Sequence, residues 1–438
     1  MSTSKPFNIA IIGGGIGGLF AALCIHHHIS LLSSPSSRNV KISVYEQSSA
    51  YREIGAGVGL GVNAARLIHK LGLGDKLNAI AGHRQGIWIT FRQFDDGGEV
   101  VTVPVKDDAV IRQAPCARSD LLAILKNAVE DRNAAELLTS KECLRIEDLD
   151  GLTSRLHFSD STTATANLVL ASDGIHSATL HQMLPLTPPP PPASQIAYRA
   201  VLPTSDLPFW PYESYSACWI AEERHFLTFP ISSNKALNIV AFVTKSPDDI
   251  ARLGAEESWV SACSRRDVEK DFAGFETTVQ KLIELMPEQV SRWKIHDRDP
   301  LHQWHFMEGR VALLGDAAHA MLPHLGAGAG QAMEDGWVLG RVVADYLSAS
   351  SSESPSSQLD GLEEAMELYQ AARLPRAQKT QSGSRAAGLN YELIGKGMEG
   401  LSFEARLEMM AEGTRTRMKS IWEEDLDETY ERCRDEGR

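Results

Sequence analysis

The chain has 438 residues, 43% of them hydrophobic and 23% charged, which is enough for two or three domains around a sizeable core. Its formal net charge of −14 argues against a nucleic-acid partner, because phosphates would be repelled by such a surface. A local basic pocket can still bind a small anion. The six cysteines form no CxxC pair and have no metal-ligand spacing, so we interpret them as reduced thiols.

No stretch approaches the ~20 consecutive apolar residues that a membrane span needs. A strand is predicted within the first eight residues, without the charged region and apolar run of a signal peptide. We therefore expect a cytoplasmic protein with no membrane partner.

The first predicted strand, at residues 8–12, is followed by Gly13, Gly15 and Gly18 in a GxGxxG pattern and then by an apolar helix. This order of strand, glycine motif and helix is typical of a dinucleotide site. Gly13 permits the tight turn, Gly15 lets a pyrophosphate reach the backbone, and Gly18 lets helix and strand pack closely.

A second predicted strand, at residues 40–45, ends on Glu46, the acid expected to bind a ribose diol. Glu46 lies 28 residues after Gly18, more than the usual spacing of about 20. The histidines at 26–28 and the Ser/Pro-rich residues 33–37 explain the excess as a surface loop. Three histidines also raise the possibility of a metal site, but a solvated helix end is favoured because no acid or cysteine lies nearby.

Glycines then occupy alternate positions at 55, 57, 59 and 61. They form either a flexible connection into a helix at 64–71 or a backbone segment pressed against the face of a flat ligand. The regular alternation favours the ligand face, with Gly59 against it.

Period-two patterning predicts a hairpin over residues 86–105. A stiff polyproline connector at 185–192 leads to further strands between 195 and 244, which together predict a second, antiparallel sheet. Helices are predicted near 256–271 and 275–286.

Three further strand and helix ends carry candidate ligand-binding residues. Arg118 lies where a helix opens, and Asp173 and its following glycine close a buried strand. Residues 315–330 contain four glycines, one proline, two histidines and one carboxylate, Asp316, between a buried strand and a helix. A helix opening near Ala329 would direct its free N–H groups and positive dipole end toward a flat ligand.

These motifs together resemble the single-component flavin-dependent aromatic hydroxylases. Within that family, residues 197–199, 226–230 and 238–242 are similar to salicylate hydroxylase, and the similarity is densest over 315–335. The resemblance spans nearly the whole chain.

The resemblance implies an α/β fold class, with a Rossmann-like FAD-binding domain, a second β-sheet substrate domain and C-terminal helices. The implied boundaries are 1–85, 106–185 and 300–347 for the FAD-binding domain, 86–105 and 186–299 for the substrate domain, and 360–438 for the C-terminal helices.

The resemblance also implies the cofactor contacts. Glu46 would bind the adenosine ribose of FAD, Arg118 the sugar-phosphate portion, and Asp316 the ribityl chain or nearby hydroxyls. The backbone N–H groups of Gly328 and Ala329 would face the N1–C2=O edge of the flavin and stabilise negative charge there.

NADH or NADPH would bind transiently, since no second GxGxxG is present. Asp173 belongs to a motif linked to both FAD and nicotinamide handling. The family usually has an arginine a few residues later, where this chain has Leu180, so cofactor docking or coupling is expected to differ.

The implied reaction begins with reduction of FAD by NAD(P)H, followed by addition of O2 at the flavin C4a. The resulting hydroperoxide transfers oxygen to a phenol, and in salicylate hydroxylases the products are catechol and CO2. Another phenolic or heteroaromatic acid, or a polyketide aldehyde, is the alternative substrate. A flavin-free GTPase-escort protein also has this fold, but Glu46, Asp316 and the intact glycines argue against it.

Three residues are candidates for the chemistry on a small aromatic substrate. A neutral histidine suits the removal of a phenolic proton, its ordinary pKa being about 6.5. His324 occupies the matching position after Pro323, whose carbonyl would lie near the reacting oxygen. The alternative is a loop histidine that caps a backbone carbonyl.

Arg199, on a strand of the second sheet, is the candidate for a substrate anion, and a sheet-edge salt bridge is its alternative. Dearomatising relatives pair the equivalent arginine with a tyrosine, where this chain has Phe229. His319 is expected to be structural, hydrogen-bonded behind the loop. No metal site is predicted, and the protein is expected to be a monomer or homodimer.

Overall fold

The computed structural model describes residues 5–33, 39–51, 57–83, 86–105, 110–191, 194–253, 260–349 and 361–436. Most of the two predicted Ser-rich loops, at 33–37 and 348–357, lies outside these ranges, as do residues 52–56 of the glycine-rich stretch and the end of the polyproline connector.

The strands, in chain order, are β1 Phe7–Ile12, β2 Val40–Tyr45, β3 Gly57–Val58, β4 Ile87–Gln93, β5 Glu99–Pro104, β6 Cys116–Ala117, β7 Glu136–Leu138, β8 Cys143–Asp148, β9 Ser154–Phe158, β10 Thr163–Ala166, β11 Leu168–Ala171, β12 Gln195–Pro203, β13 Ala217–Ala221, β14 Arg224–Ile231, β15 Ala236–Thr244, β16 Val260–Ser264, β17 Gln289–Ile295, β18 His305–Phe306 and β19 Val311–Leu313. The helices are α1 Ile16–Ser30, α2 Val62–Lys70, α3 Gly74–Ile80, α4 Arg118–Asp131, α5 Ala178–Met183, α6 Pro247–Arg252, α7 Arg265–Asp271, α8 Thr277–Leu285, α9 Asp316–His319, α10 Gly328–Ala349, α11 Leu362–Tyr391, α12 Phe403–Arg417, α13 Lys419–Glu423 and α14 Leu426–Glu436.

A mainly parallel sheet has the strand order β18-β19-β11-β1-β2-β7. Its central strands β1, β11 and β19 are apolar runs that are buried almost throughout, as strands covered on both faces require. Their carboxyl ends lead into the glycine motif, Asp173 and Asp316 respectively. The parallel order therefore brings three distant motifs to one edge of the sheet.

The second sheet has the order β16-β17-β12-β15-β14-β13-β4-β5 and is antiparallel except where β13 runs beside β4. The predicted hairpin is confirmed as β4 and β5, which join the edge of this sheet. The predicted α/β fold class, with a second sheet and C-terminal helices, is confirmed.

Two local predictions were wrong. Residues 260–264, predicted as part of a helix, form strand β16, because they pair in antiparallel register with β17 at the sheet edge. The histidines at 26–28 lie near the end of helix α1, so the predicted helix end is confirmed, but their assignment to a surface loop was wrong. His28 packs edge-on against Trp337 of α10, with ring centroids 4.6 Å apart. This contact with α10 stabilises the last turn of α1.

Helix α11 spans 30 residues and runs from the first domain's core to the second sheet. Tyr369 near its start is buried in the core around β1 and β19, whereas Tyr391 at its end packs with Phe91 of β4 at 4.9 Å between centroids. No helix among the described residues is long and apolar enough to cross a membrane.

Helices α1 and α10 pack closely because glycines of α10 face the backbone of α1. A Cβ added at Gly336 would lie 3.0 Å from Cα of Ala21, and one at Gly340 would lie 2.8 Å from the carbonyl carbon and oxygen of Cys24. Any side chain at Gly340 therefore requires the two helices to separate.

We expect Gly340→Ala to lower the free energy of unfolding by about 1–3 kcal/mol, because the clash is with backbone. Urea denaturation of both proteins measures this difference. Gly383→Ala in α11 is the control. Its Cβ would meet only Leu325 at 3.6 Å, so the better helix propensity of alanine leaves stability unchanged or raises it by up to ~1 kcal/mol. Equal effects of the two substitutions would contradict the packing argument.

Candidate active site

A cavity of about 440 Å³ lies between the parallel sheet and the second sheet. Its volume is typical of small-molecule sites. The first domain contributes the glycine turn after β1, residues 57–61 and the loop after β19. The second sheet and the C-terminal helices close the other side, with Trp88, Phe91, Arg199, His225, Phe229, Phe242, Tyr391, Met418 and Trp422 among the lining side chains.

The turn after β1 has the geometry that its glycines predict. Gly13 has φ +100°, and a Cβ there would lie 2.3 Å from the carbonyl oxygen of Ser172. A Cβ at Gly18 would lie 2.0 Å from the carbonyl oxygen of Gly13. By contrast, a Cβ at Gly15 would have no heavy atom within 4 Å, since Gly15 faces the cavity at the start of α1. Open space at the N-terminus of a helix is a place where an anionic group binds well.

Glu46 lies beside this turn at the end of β2. Its carboxylate accepts hydrogen bonds from the backbone N–H groups of Gly14 and Ser48, both at 2.8 Å. The two bonds fix the carboxylate next to the glycine turn.

Residues 57–61 form part of the cavity wall. The backbone N–H of Gly57 donates to Oδ1 of Asn238 at 2.8 Å, which ties this wall to β15 of the second sheet. A Cβ at Gly59 would lie 3.6 Å from the carbonyl oxygen of Gly326, so the two glycine-rich segments approach each other closely.

The loop after β19 brings a carboxylate and a helix start to the same cavity. Asp316 is exposed, is the first residue of α9 and lines the cavity. Gly326 has φ +58°, a left-handed conformation that lets the chain turn into α10 at Gly328. The N–H of Gln331 is the first in α10 to bond the preceding turn, at the carbonyl of Ala327, so the N–H groups before it are free for a ligand.

A buried ion cluster lies directly behind this loop. Arg373 of α11 donates to Asp335 Oδ1 at 2.9 Å and to Glu334 Oε2 at 2.7 Å, and Arg376 donates to both oxygens of Glu334. His319 contacts Asp335 Oδ2 at 2.6 Å through Nε2, which confirms its predicted structural role.

Asp335 also accepts the backbone N–H of Gly315 at 2.9 Å, so it holds the start of the loop. Burial alone would raise the pKa of Asp335, but the adjacent His319 and Arg373 lower this pKa to about 2. The carboxylate is therefore ionised at neutral pH, as its partners require.

Arg199 lines the cavity from β12, with its guanidinium 4.4 Å from the centre of the Trp293 ring. No carboxylate of the described ranges lies within 4 Å of it. Burial, followed by the charge of Arg118 on α4, lowers the pKa of Arg199 to about 10. Arg199 is therefore a cation at neutral pH that faces the cavity without a protein counter-ion among the described residues.

His324 is buried against the cavity. Its Nε2 is 2.9 Å from Oε1 of Gln195, and its ring lies 4.9 Å from Phe242 and 5.3 Å from His225. Burial, followed by the nearby His225, lowers the pKa of His324 well below its ordinary value, so the ring is neutral. The carbonyl oxygen of Pro323 accepts the N–H of Gly326 at 2.9 Å.

Several residues considered from the sequence do not line this cavity, among them Gly13, Gly18, Glu46, Asp173 and Leu180. Oδ2 of Asp173 accepts the N–H of Thr179 at 3.1 Å, at the start of α5, although the neighbouring Ser172 and Gly174 are at the cavity. Leu180 is fully buried in the first domain's core, where a charged side chain would lose its hydration.

The cavity residue His225 was missed, as was Gln195, whose side chain contacts His324. Alternation along β14 places His225, Leu227 and Phe229 on one face, and all three line the cavity. Phe229 was already a candidate, and the residue four positions before it on the same strand points to the same face. Counting back from Phe229 would therefore have identified His225.

Comparisons with known proteins agree with this geometry. The family described as FAD binding domain matches residues 7–383. The chain is 31% identical to a salicylate hydroxylase of Pseudomonas putida over 441 residues, covering 96% of this chain and 93% of that protein. It is 32% identical over 388 residues to 6-hydroxynicotinate 3-monooxygenase of Bordetella bronchiseptica, covering 86% and 90%. A solved salicylate hydroxylase substrate complex superposes with a TM-score of 0.81 at 28% identity, over 98% of both chains.

The cavity residues fit an FAD. The open space at Gly15 suits the pyrophosphate, the exposed carboxylate of Asp316 suits a sugar-chain hydroxyl, and the N–H groups at Gly328 and Ala329 suit the negative edge of a reduced flavin.

Substitution of Arg373 by Met should lower the free energy of unfolding by about 3–5 kcal/mol, because it leaves buried carboxylates without a counter-ion. Thermal unfolding and the FAD content of the purified protein are the measurements, since the loop held by Asp335 should lose its order as well. Lys379→Met in the same helix is the control, because Lys379 is exposed and forms no ion pair with any described residue. An Arg373 variant as stable as the Lys379 variant would contradict the structural role of the cluster.

Proposed function

This chain belongs to the FAD-binding-domain family of flavin-dependent aromatic monooxygenases, and on that basis we propose that it hydroxylates salicylate to catechol with release of CO2. The observation that carries the choice of substrate is Arg199, a half-buried cation that faces the cavity with no carboxylate among the described residues beside it. A carboxylate on the substrate would supply the missing counter-ion.

FAD is the cofactor, and when bound it supplies the redox chemistry that activates O2 with electrons from NADH or NADPH. The protein's part is to bind and orient. The turn at Gly15 would receive the pyrophosphate, and Asp316 would hold the sugar chain. The start of α10 at Gly328 would stabilise negative charge on the flavin.

The substrate end of the cavity combines one cation with apolar walls. Phe229, Phe242 and Val240 lie on the same sheet as Arg199 and exclude water from the bound ring. In this arrangement Arg199 fixes the carboxylate and therefore fixes which ring carbon faces the flavin. His324 and His225 also line the cavity, beside Phe242. We expect the phenolic hydroxyl of the substrate to face these two histidines.

We also propose that the enzyme acts in the cytoplasm on a small aromatic acid, as a monomer or homodimer, without a membrane partner. The net charge of −14 argues against a nucleic-acid partner.

The deciding experiment mixes the purified flavoprotein with NADH and salicylate. We expect the protein to be yellow, with absorbance near ~450 nm from the flavin. Salicylate should accelerate NADH oxidation, and catechol and CO2 should form in amounts that match the NADH consumed. Accelerated oxidation that yields only hydrogen peroxide would make salicylate an effector rather than a substrate.

Removal of the cation should weaken substrate binding selectively. In Arg199→Met we expect the KM for salicylate to rise about 30-fold or more, which corresponds to about 2 kcal/mol for a lost charged contact. Steady-state kinetics measure this change. Arg292→Met is the matched control, since Arg292 pairs with Tyr198 on the other face of the same sheet. Equal KM values in the two variants would exclude Arg199 from the substrate site.

A second candidate substrate is a phenolic acid that carries an apolar substituent. Trp88, Phe91, Met418 and Trp422 also line the cavity, and the two tryptophans meet edge-to-face at 5.6 Å between centroids. An apolar wall of this kind can accommodate an alkyl or aryl group added to the ring.

Salicylates with alkyl groups of increasing length test this second candidate. If the apolar wall binds a substituent, kcat/KM should rise by about 3-fold or more for each methylene that becomes buried, since each contributes about 0.8 kcal/mol. A fall in kcat/KM from the first added methylene would favour unsubstituted salicylate.

A further inference from the structure

His225 and Glu392 form a buried pair at the substrate end of the cavity. His225 lies on β14 with 2% of its surface exposed, and Glu392 follows the last residue of α11 with none exposed. Nδ1 of His225 is 3.2 Å from Oε1 of Glu392. Two elements that are distant in sequence thus place a carboxylate directly behind a cavity histidine.

The contact fixes where the proton of the neutral imidazole resides. Neither Nδ1 of His225 nor Oε1 of Glu392 makes an aligned hydrogen bond to any described residue, and both atoms are buried. A lone pair on Nδ1 would face a carboxylate oxygen across 3.2 Å, which is repulsive, so Nδ1 carries the hydrogen. Nε2 is then the acceptor, on a ring that lines the cavity.

Further contacts hold the pair in place. The hydroxyl of Thr244 donates to Oε2 of Glu392, and the backbone N–H of Glu223 donates to the Glu392 carbonyl at 2.9 Å. The His225 ring stacks on Phe242 with centroids 4.5 Å apart and an interplanar angle of 18°. The imidazole plane is therefore set by packing, and its tautomer by the carboxylate.

His324 contacts a neutral amide where His225 contacts a carboxylate. Its Nε2 faces Oε1 of Gln195, a neutral amide that cannot compensate a positive charge. Burial keeps the pKa of His324 well below the ordinary value. Of the two rings, which lie 5.3 Å apart, only His225 has a buried anion available to stabilise an imidazolium.

We propose that Glu392 is a positioning residue that enables His225 to accept the phenolic proton of the substrate, a role that rests on the proposed function as a phenol hydroxylase. In this step the substrate O–H bond breaks and an Nε2–H bond forms on His225. The substrate becomes a phenolate, and the imidazolium is stabilised by Glu392. Electron density on the ring rises, as oxygen transfer to an aromatic carbon requires. His324 instead contacts the substrate as a neutral group.

Several titratable groups lie near His225. Glu392 contacts it from the end of α11, His324 from the loop after β19, and the Tyr391 ring at 5.9 Å between centroids. Cys218 of β13 lines the same cavity, and burial raises the pKa of its thiol well above the ordinary value, so it stays neutral. Among these, Glu392 is the anion.

Histidine-selective ¹⁵N NMR of the FAD-loaded protein tests the electrostatic part without any substrate, with the His225 signal assigned from His225→Gln. In the wild type we expect the Nδ1–H tautomer. In Glu392→Gln we expect the pKa of His225 to fall by about one unit or more, since an adjacent opposite charge raises an imidazole pKa by roughly that amount. A wild-type Nε2–H tautomer, or an unchanged pKa in the variant, would overturn the proposal.

The kinetic part uses the phenolic acid that the wild type turns over. A base acts only when neutral, and a carboxylate beside an imidazole favours its protonated form. Glu392→Gln should therefore move the acid limb of the kcat profile to lower pH and lower the plateau by about 10–100-fold. The KM should change little, because Arg199 still binds the carboxylate. A Glu392→Gln variant whose plateau rate and acid limb match those of the wild type would overturn the proposed role of the His225–Glu392 pair.

Two further variants separate this role from a structural one. Glu392→Asp keeps the charge and should restore much of the plateau rate and the wild-type limb. Glu408→Gln, at an exposed position on α12, should leave both the NMR titration and the kinetics unchanged. An equal loss in Glu392→Asp and Glu392→Gln would show that side-chain length, not charge, matters, and would overturn the proposal.

Failure of the proposed function is distinguishable from failure of this inference. If no phenolic acid accelerates NADH oxidation in the wild type, the hydroxylase assignment falls, and with it the proton-acceptor role of His225. The ¹⁵N titration in Glu392→Gln still decides whether Glu392 controls the charge of that histidine.

Discussion

The cavity depends on one buried ionic contact, between the start of helix α10 and the middle of helix α11. Glu334 and Asp335 are ionised in the interior, where an unpaired charge would cost several kcal/mol. Arg373 and Arg376 compensate them with hydrogen bonds at 2.6–2.9 Å. Because Asp335 also binds the N–H of Gly315, the same cluster fixes the loop that carries both Asp316 and His324.

That loop divides the cavity by chemistry. On one side, Asp316 and the free N–H groups near Gly328 offer hydrogen-bond partners for a bound nucleotide and a place for negative charge. On the other side, the second sheet offers apolar walls and the cation of Arg199. The proposed function brings a redox cofactor and an aromatic acid together in this cavity, where charges that are partly removed from water interact more strongly than in water.

The two cavity histidines show how the environment separates residues of one type. His324 is backed by the amide of Gln195, and burial holds it neutral. His225 is backed by the carboxylate of Glu392. The two rings are neighbours, but among the described residues only His225 has a carboxylate beside it that could compensate an added proton. Distinct roles for the two side chains follow from what lies behind each ring, not from their distance to the cavity.

The sequence alone determined the local features whose cause is local. The glycine turn at Gly13, the helix start at Gly328 and the hairpin over 87–104 all follow from backbone sterics and period, which a short window contains. The α/β class follows from the order of these elements. Residues 260–264 were misassigned because only the pairing with β17 makes them a strand. Likewise Glu392 meets His225 only after helix α11 has crossed to the second sheet, so no spacing along the chain encodes their contact. Tertiary structure decided which buried charges are paired, because electrostatic compensation depends on distance in space.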